Sequence, residues 1–541
     1  MATPTFDAPG PGQWALDRSH YPGGTTPISQ WLITESMATG LGRVMAEIGA
    51  PVRHIEPRFV HGFMYTRVWP LIGGDKPSTK LPPLPILKLV ARLHPEFRRR
   101  AKQAAITLAD RPSLAVVERW DREIRPELRT TNRAFQQTDV RALDDDGLER
   151  HIAELLDHTR ESFILHFWLH GHDLGPIARY LSECIGWGLD PNEAIEALSG
   201  ASPSTARPIE TLCRIRALVG SADVGSPDDV RSVSAEAADL LDEYLADHGE
   251  VLASGYDLTS FRLIELPGVI IRSIRSAQLP ATSDHAAIAA RLRDRVPDEH
   301  HALFDQVLAD ARAVMDMRDD NGPLTVEWPV GLLRRALLEA GRRLVERGRL
   351  DEPGQVVDLT PDEARTVFSA TAPDATELAR RAELRARLAA IDPPMTLGGP
   401  EPEPPTDILP DPLPKLVGMV QVSMKYMGMD GTADANSLSG AGIGTATYTG
   451  RARTATSADE AIETLEPGDV LVVRATSPAF NAVLALAGAV VTADGGPMSH
   501  AAVLARELGI PAVVGASGAL SIADGATVEV DPVAGEVRVV G

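Results

Sequence analysis

Cysteine is nearly absent: Cys184 and Cys213 are the only thiols in 541 residues. Two cysteines in so long a chain make no disulfide framework, and a reducing compartment fits them best. Basic residues are the minority charge, 53 Lys and Arg against 75 Asp and Glu, for a net charge of −22. Nucleic acid and anionic membranes both need a basic face, so neither is expected as a partner. No apolar run reaches the roughly 18 residues of a membrane span. The opening MATPTFDAPGPGQW lacks the basic and apolar segments of a secretory signal. These absences predict a cytoplasmic protein, and the length predicts several domains.

What is present divides the chain. Turn-rich WALDRSHYPGGTTPIS (14–29) and helical WLITESMATGLGRVMAEIG (31–49) precede strand-like RHIEPRFVHGFMYTRVWP (53–70), whose β-formers include Phe59, Phe63, Tyr65 and Val68. From about 90 to 390, apolar residues recur at three- and four-residue spacing, as in RRALLEAGRRLVERG, and predict helices. Residues 392–414, DPPMTLGGPEPEPPTDILPDPLP, are dense in proline and predict an extended, semi-rigid linker. The following MVQVSMKYMGM (419–429) reads as a short helix that packs through methionine. After 437, short β-rich runs such as DVLVVRA, AVVTA and ATVEV alternate with turns and with helices near 478–487 and 499–508. The expected fold class is multidomain α plus α/β. A mainly helical domain covers 1–391, with a mixed α/β start. A linker and Met-bearing helix cover 392–436, and a compact α/β domain covers 437–541.

One stretch of that last domain carries chemistry: GGPMSHAAVLARELGIPAVVG (495–515). Gly495 and Gly496 allow a sharp turn and close approach of backbone to a ligand. Ser499 stands at an N-cap position, and His500 opens the helix that Gly509 ends. Unpaired N–H groups and the positive dipole end favour a dianion there. A neutral imidazole is a good nucleophile near pH 7. Read from the residues alone, a phosphate-carrying histidine and an ordinary surface histidine both remain open.

The stretch resembles the active loop of the phosphohistidine swivelling domain in the family of PEP-utilising enzymes. Phosphoenolpyruvate synthase, pyruvate phosphate dikinase, Enzyme I and rifampicin phosphotransferase share that domain. The likeness extends back through LSGAGIGTATYTGRAR (438–453) and LEPGDVLVVRATSPAF (465–480). It implies a β/β/α swivelling domain whose histidine, here His500, is phosphorylated at one active site and carried to a second. Gly495, Gly496 and Ser499 would form its loop. Arg506 would steady that loop, or pair with Glu507 or another surface acid. Met498 replaces a threonine found in many members, a departure towards the antibiotic-phosphotransferase branch.

Earlier segments are similar to the acceptor-binding domain of rifampicin phosphotransferases: WALDRSHYPGGTTPIS, FVHGFMYTRV (59–68), HGEVLASGYDLTSFRLIELPGVIIRSI (248–274) and RGRLDEPGQVVDLTPDEARTVF (347–368). Too few residues follow His500 for a (β/α)8 barrel, and the first 400 show neither an ATP-grasp pattern nor a Walker loop. The layout is similar to the histidine subunits of phenylphosphate and alkylphenol phosphate synthases. That implies a dikinase-type phosphotransferase making aryl phosphate, AMP and phosphate from a phenol, ATP and water. ATP and Mg²⁺ would be bound mainly by a separate ATP-grasp subunit, with no cofactor on this chain. The rival readings are an antibiotic- or pyruvate-handling component and a non-catalytic regulatory phosphocarrier.

In the helical half, HFWLHGHDLGP (166–176) gathers His166, His170, His172 and Asp173 as acceptor-site candidates. His166 and His170 share a helix face at metal-ligand spacing, but Phe167 stands where a zincin has glutamate, and no metal is expected. A pair acting on an acceptor hydroxyl and plain packing stay open. Phe163, Phe167 and Trp168 would line an aromatic pocket or the core. Arg67, with Arg43 and Arg58, would clamp a phosphoryl group or form surface salt bridges.

Overall fold

The computed structural model describes residues 4–17, 21, 23–75, 80–253, 255–279, 284–402, 404–426, 437–455, 458–476, 484 and 486–540. Most of the helix expected near 478–487 and the end of the 419–429 run lie outside the described residues. The chain is multidomain α plus α/β. Two compact units form, and neither is one stretch of sequence. The first holds residues 1–172, 256–259 and 324–418, and the second 173–255, 260–323 and 419–541.

In the first unit, β1 (Trp14–Asp17), β2 (Val52–Val60), β3 (Phe63–Pro70) and β4 (Thr396–Leu397) make an antiparallel sheet in the order β2–β3–β1–β4. The strand-like sequence at 53–70 is therefore a hairpin, turned at His61 and Gly62, which both have positive φ. Trp14, Phe63, Tyr65 and Leu397 pack together beneath it. The proline-rich segment is not a spacer throughout. Leu397 pairs with Trp14 and is buried, and the Tyr65 hydroxyl donates to Pro394 O at 2.8 Å. Burial of Leu397 adds an apolar anchor to these backbone contacts.

The helix Trp328–Glu346 is almost wholly buried, and a π-helical turn, Pro323–Glu327, leads into it. Pro323 offers no N–H to the helical ladder, a common cause of such slippage. The turn buries Thr325 and Glu327, and Thr325 Oγ1 lies 3.2 Å from His166 Nδ1. Glu327 Oε1 has no hydrogen-bond partner, and burial pushes its carboxyl up to about 8. It is thus protonated in the folded chain at neutral pH. The stabilisation from that proton is complete below the ordinary carboxyl range and is lost as pH rises through about 8. Glu327→Gln should flatten this loss. Between pH 6 and 9 the native chain should lose about 3 kcal/mol more than the variant in denaturant titrations, nearly all of it below pH 8; parallel curves would sink the assignment.

In the second unit, helices Pro203–Val219, Ala235–His248, Pro267–Ser276 and Met315–Gly322 accompany a curled mixed sheet. Its strands are β5 (Ala441–Ile443), β6 (Tyr448–Ala455), β7 (Val470–Val473), β8 (Ala489–Thr492), β9 (Ala512–Val514), β10 (Thr527–Asp531) and β11 (Glu536–Val539). The order is β11–β10–β6–β7–β8–β9–β5, with β6 to β9 parallel and the others antiparallel. Strands β7, β8 and β9 are buried on both faces, which is why their sequences are unbroken apolar runs. Because β7 and β8 are parallel neighbours, the loops that follow them leave the same edge of the sheet. No helix among the described residues is long and apolar enough to cross a membrane.

Candidate functional site

The loop after β8 turns at Gly495, whose φ is +104 and where a Cβ would come within 3.0 Å of Ser499 Oγ. Glycine is needed there for both conformation and space. The helix His500–Leu508 starts five residues later and closes at Gly509, which is left-handed with φ +67. Ser499 occupies the N-cap with extended backbone, but its side chain makes no capping bond, contrary to expectation. Instead Ser499 Oγ is buried without a partner, and the first-turn N–H groups have no side-chain acceptor from it.

His500 is half-buried. Thr476 Oγ1, from the loop after β7, lies 3.0 Å from His500 Nδ1. Burial, and then the Arg318 guanidinium, hold the imidazole down to about 3, so it is neutral at physiological pH. Arg318 comes from the helix Met315–Gly322 of the same unit. Its Nη2 donates to Met498 O at 3.0 Å, while its Nη1 is buried with no partner. The Met498 N–H donates to Tyr426 O at 2.8 Å. Neither Arg318 nor Thr476 was singled out in the sequence.

Arg506 does face the loop. Its Nη1 donates to Pro497 O at 2.5 Å, and its Nε forms an ion pair with Glu196 at 3.3 Å. Burial pulls the Arg506 guanidinium down to about 10. Glu507 instead accepts the Gly200 N–H at 3.0 Å, and burial pushes its carboxyl up to about 7. A cavity of about 20 Å³, room for one water, lies between Met498 and the apolar side chains of Ile195, Leu198 and Met315. Asp319, one residue after Arg318, is raised by burial against the pull of Arg318, and Asp316 and Asp173 add to the rise.

The acceptor-site candidates are distributed differently. His166, His170 and His172 lie in the first unit, and Asp173 begins the second. The His166 and His170 rings meet edge to face with centroids 4.4 Å apart, and His166 also lies 6.4 Å from the Tyr256 ring. Among the described residues, no group of three or more His, Cys, Asp or Glu side chains is arranged to hold a metal. His172 Nε2 lies 3.4 Å from Glu47, which also accepts from Trp168 Nε1 at 2.6 Å. Phe163, Phe167 and Trp168 are core residues. Arg67 is buried and occupied: Nη2 pairs with Glu401 at 3.0 Å, both Nη atoms donate to Gly74 O, and the guanidinium stacks 4.6 Å over Trp69. Arg43 pairs with Glu47 and Arg58 with Glu56.

Residues 465–535 match the family model for the mobile domain of PEP-utilising enzymes. An uncharacterised protein of Mycobacterium tuberculosis is 39% identical over 215 residues, 39% of this chain and 22% of that protein. Chondramide synthase of Chondromyces crocatus is 26% identical over 577 residues, 96% of this chain and 14% of the synthase. Rifampicin phosphotransferase of Streptomyces sviceus is 27% identical over 346 residues, 60% of this chain and 37% of the transferase. The chain thus spans well under half the length of these curated relatives.

Proposed function

From the premise that this chain belongs, through its C-terminal domain, to the PEP-utilising enzyme family, we propose that it is the phosphohistidine-bearing, acceptor-binding part of an ATP-dependent phosphotransferase. Its acceptor is a phenol or another hydroxylated small molecule, and a separate ATP-grasp subunit supplies the nucleotide site and Mg²⁺. The likeness to rifampicin phosphotransferase over 60% of the chain supports phosphoryl transfer to a small molecule. The observation that carries the reading is a neutral His500 at a helix start, beside two buried polar atoms without partners, Ser499 Oγ and Arg318 Nη1. A phosphoryl group on the ring would give both a partner.

In this reading Nδ1–H donates to Thr476 and the lone pair lies on Nε2. That nitrogen attacks phosphorus, forming an N–P bond as the donor's P–O bond breaks. The acceptor oxygen then attacks, the N–P bond breaks, and the hydroxyl proton passes to a carboxylate, for which Asp319 is our candidate. Charge neutralisation falls to Arg318 and positioning to Thr476. Thr476→Val should slow labelling of His500 by phosphoramidate roughly tenfold, the worth of one hydrogen bond, and Thr476→Ser should restore it. An unchanged rate in the valine variant would remove Thr476 from the site.

Intact-mass spectrometry with Mg²⁺, ATP and candidate ATP-grasp proteins tests the whole reading. Acid-labile phosphate that a phenol discharges is the expected result. The regulatory phosphocarrier is a second reading, favoured by the small size of the cavity that Met498 and Arg318 line, which has no room for an arene. Charging that no hydroxylated acceptor discharges would select it, and absence of charging by any partner would overturn both.

A further inference from the structure

The whole-chain charge conceals a surface of the opposite sign. Between Lys80 and Lys102 stand seven lysines and arginines against one acid, Glu96. Within this segment the helix Leu84–Leu93 buries a single residue, Ala91. It is set off by Pro83 and Pro85 at its start and by Pro95, which opens the next helix. Leu84, Ile86, Leu89 and Leu93 are 53%, 52%, 56% and 56% exposed, where such side chains are ordinarily covered. Ile86, Leu89, Val90 and Leu93 follow one another at three- and four-residue spacing and so form one outward stripe. Lys88 and Arg92 flank the stripe, and Arg98, Arg99 and Lys102 continue the exposed cations along the next helix. The acids facing them are Glu96, paired with Arg99 at 2.8 Å, and Asp407, 3.8 Å from Lys88.

We infer that this helix is a docking surface for an anionic lipid interface. An apolar stripe bordered by Lys and Arg on a short, self-standing helix suits the headgroup boundary of a bilayer. The −22 net charge does not forbid this, because at physiological ionic strength charges beyond about 8 Å are largely screened and the local cations dominate at contact. Contact would be peripheral and reversible, and it would hold the phosphotransferase where apolar hydroxylated acceptors partition.

Sedimentation of the full chain with phosphatidylcholine vesicles, with and without phosphatidylglycerol, tests the inference. The chain should bind the anionic vesicles and not the neutral ones, and salt should release it. Leu89→Glu with Leu93→Glu should abolish binding. Lys88→Gln and Arg92→Gln should each weaken it about fivefold. Val533→Glu, at an apolar residue 75% exposed elsewhere, should bind like the native chain. Circular dichroism would establish that the variants fold. Absence of binding to anionic vesicles, or equal binding by the Leu89/Leu93 variant, would overturn the inference. Self-association lost in that variant, without vesicle binding, would overturn it in favour of a second copy of the chain.

Discussion

Replacing His500 with alanine should abolish acid-labile phosphorylation of this chain, both from ATP through a partner and from phosphoramidate at pH 5. The acidic condition makes the chemical result specific. The chain has 14 histidines, and an imidazole of ordinary pKa near 6.5 is only about 3% neutral at pH 5. His500, held at about 3 by burial and by Arg318, keeps its nucleophilic form there. Labelling at pH 5 should therefore concentrate on His500, while labelling at pH 8 spreads to exposed histidines. His158 is also depressed, to about 4, but it contacts Asn132 Oδ1 at 2.8 Å and lies against the Phe135 ring. Peptide mapping after labelling distinguishes the two. The same sign governs stability: a histidine kept neutral in the fold destabilises as pH falls below 6.5, because the unfolded chain then binds the extra proton. The alanine variant should lose less stability than the native chain between pH 7 and 5. If label at pH 5 survives in the variant, His500 is not the carrier.

The switch from helical to strand periodicity near 437 is written in local sequence, since β7, β8 and β9 are buried on both faces and need unbroken apolar runs. The loop at 495–500 is legible for a similar reason: Gly495 must be glycine for its φ, and Gly509 must end the helix. What surrounds His500 is not local. Thr476 stands 24 residues away. One signal could have found it: loops after neighbouring parallel strands converge at their carboxyl ends, and Thr476 follows β7 as His500 follows β8. Arg318 offers no such signal, because it lies in an ordinary helical stretch, MDMRDDNG, and reaches Met498 only through tertiary packing. The helical pattern of 166–176 was clear, yet its spacing could not reveal that Glu47 would meet His172 and Trp168 or that a π-turn would bring Thr325 to His166. Arg67 shows the converse. Its sequence leaves a phosphoryl clamp and a salt bridge both open, and it is the pairing with Glu401, from the proline-rich segment, that occupies its guanidinium.

Arg318→Met should slow discharge of phosphorylated His500 to an acceptor by about 10²–10³-fold, the usual effect of removing one preorganised donor at a site of developing charge. The expectation rests on the two ends of one guanidinium. Nη2 fixes the loop through Met498 O, and the unpartnered Nη1 is left for an anion beside the ring. A second readout separates a catalytic role from a structural one. Arg318 is the lesser of two causes depressing His500, so its removal should raise the imidazole pKa, while burial keeps it below the ordinary value. The pH profile of phosphoramidate labelling reports this directly, with the acid limb moving to higher pH in the variant. Arg318→Lys keeps the charge but not the forked donor geometry, so the profile should stay near native while discharge remains impaired. Discharge and profile both unchanged in the methionine variant would leave His500 without its proposed counter-charge. Loss of discharge with an unmoved profile would point instead to collapse of the loop that Arg318 holds through Met498.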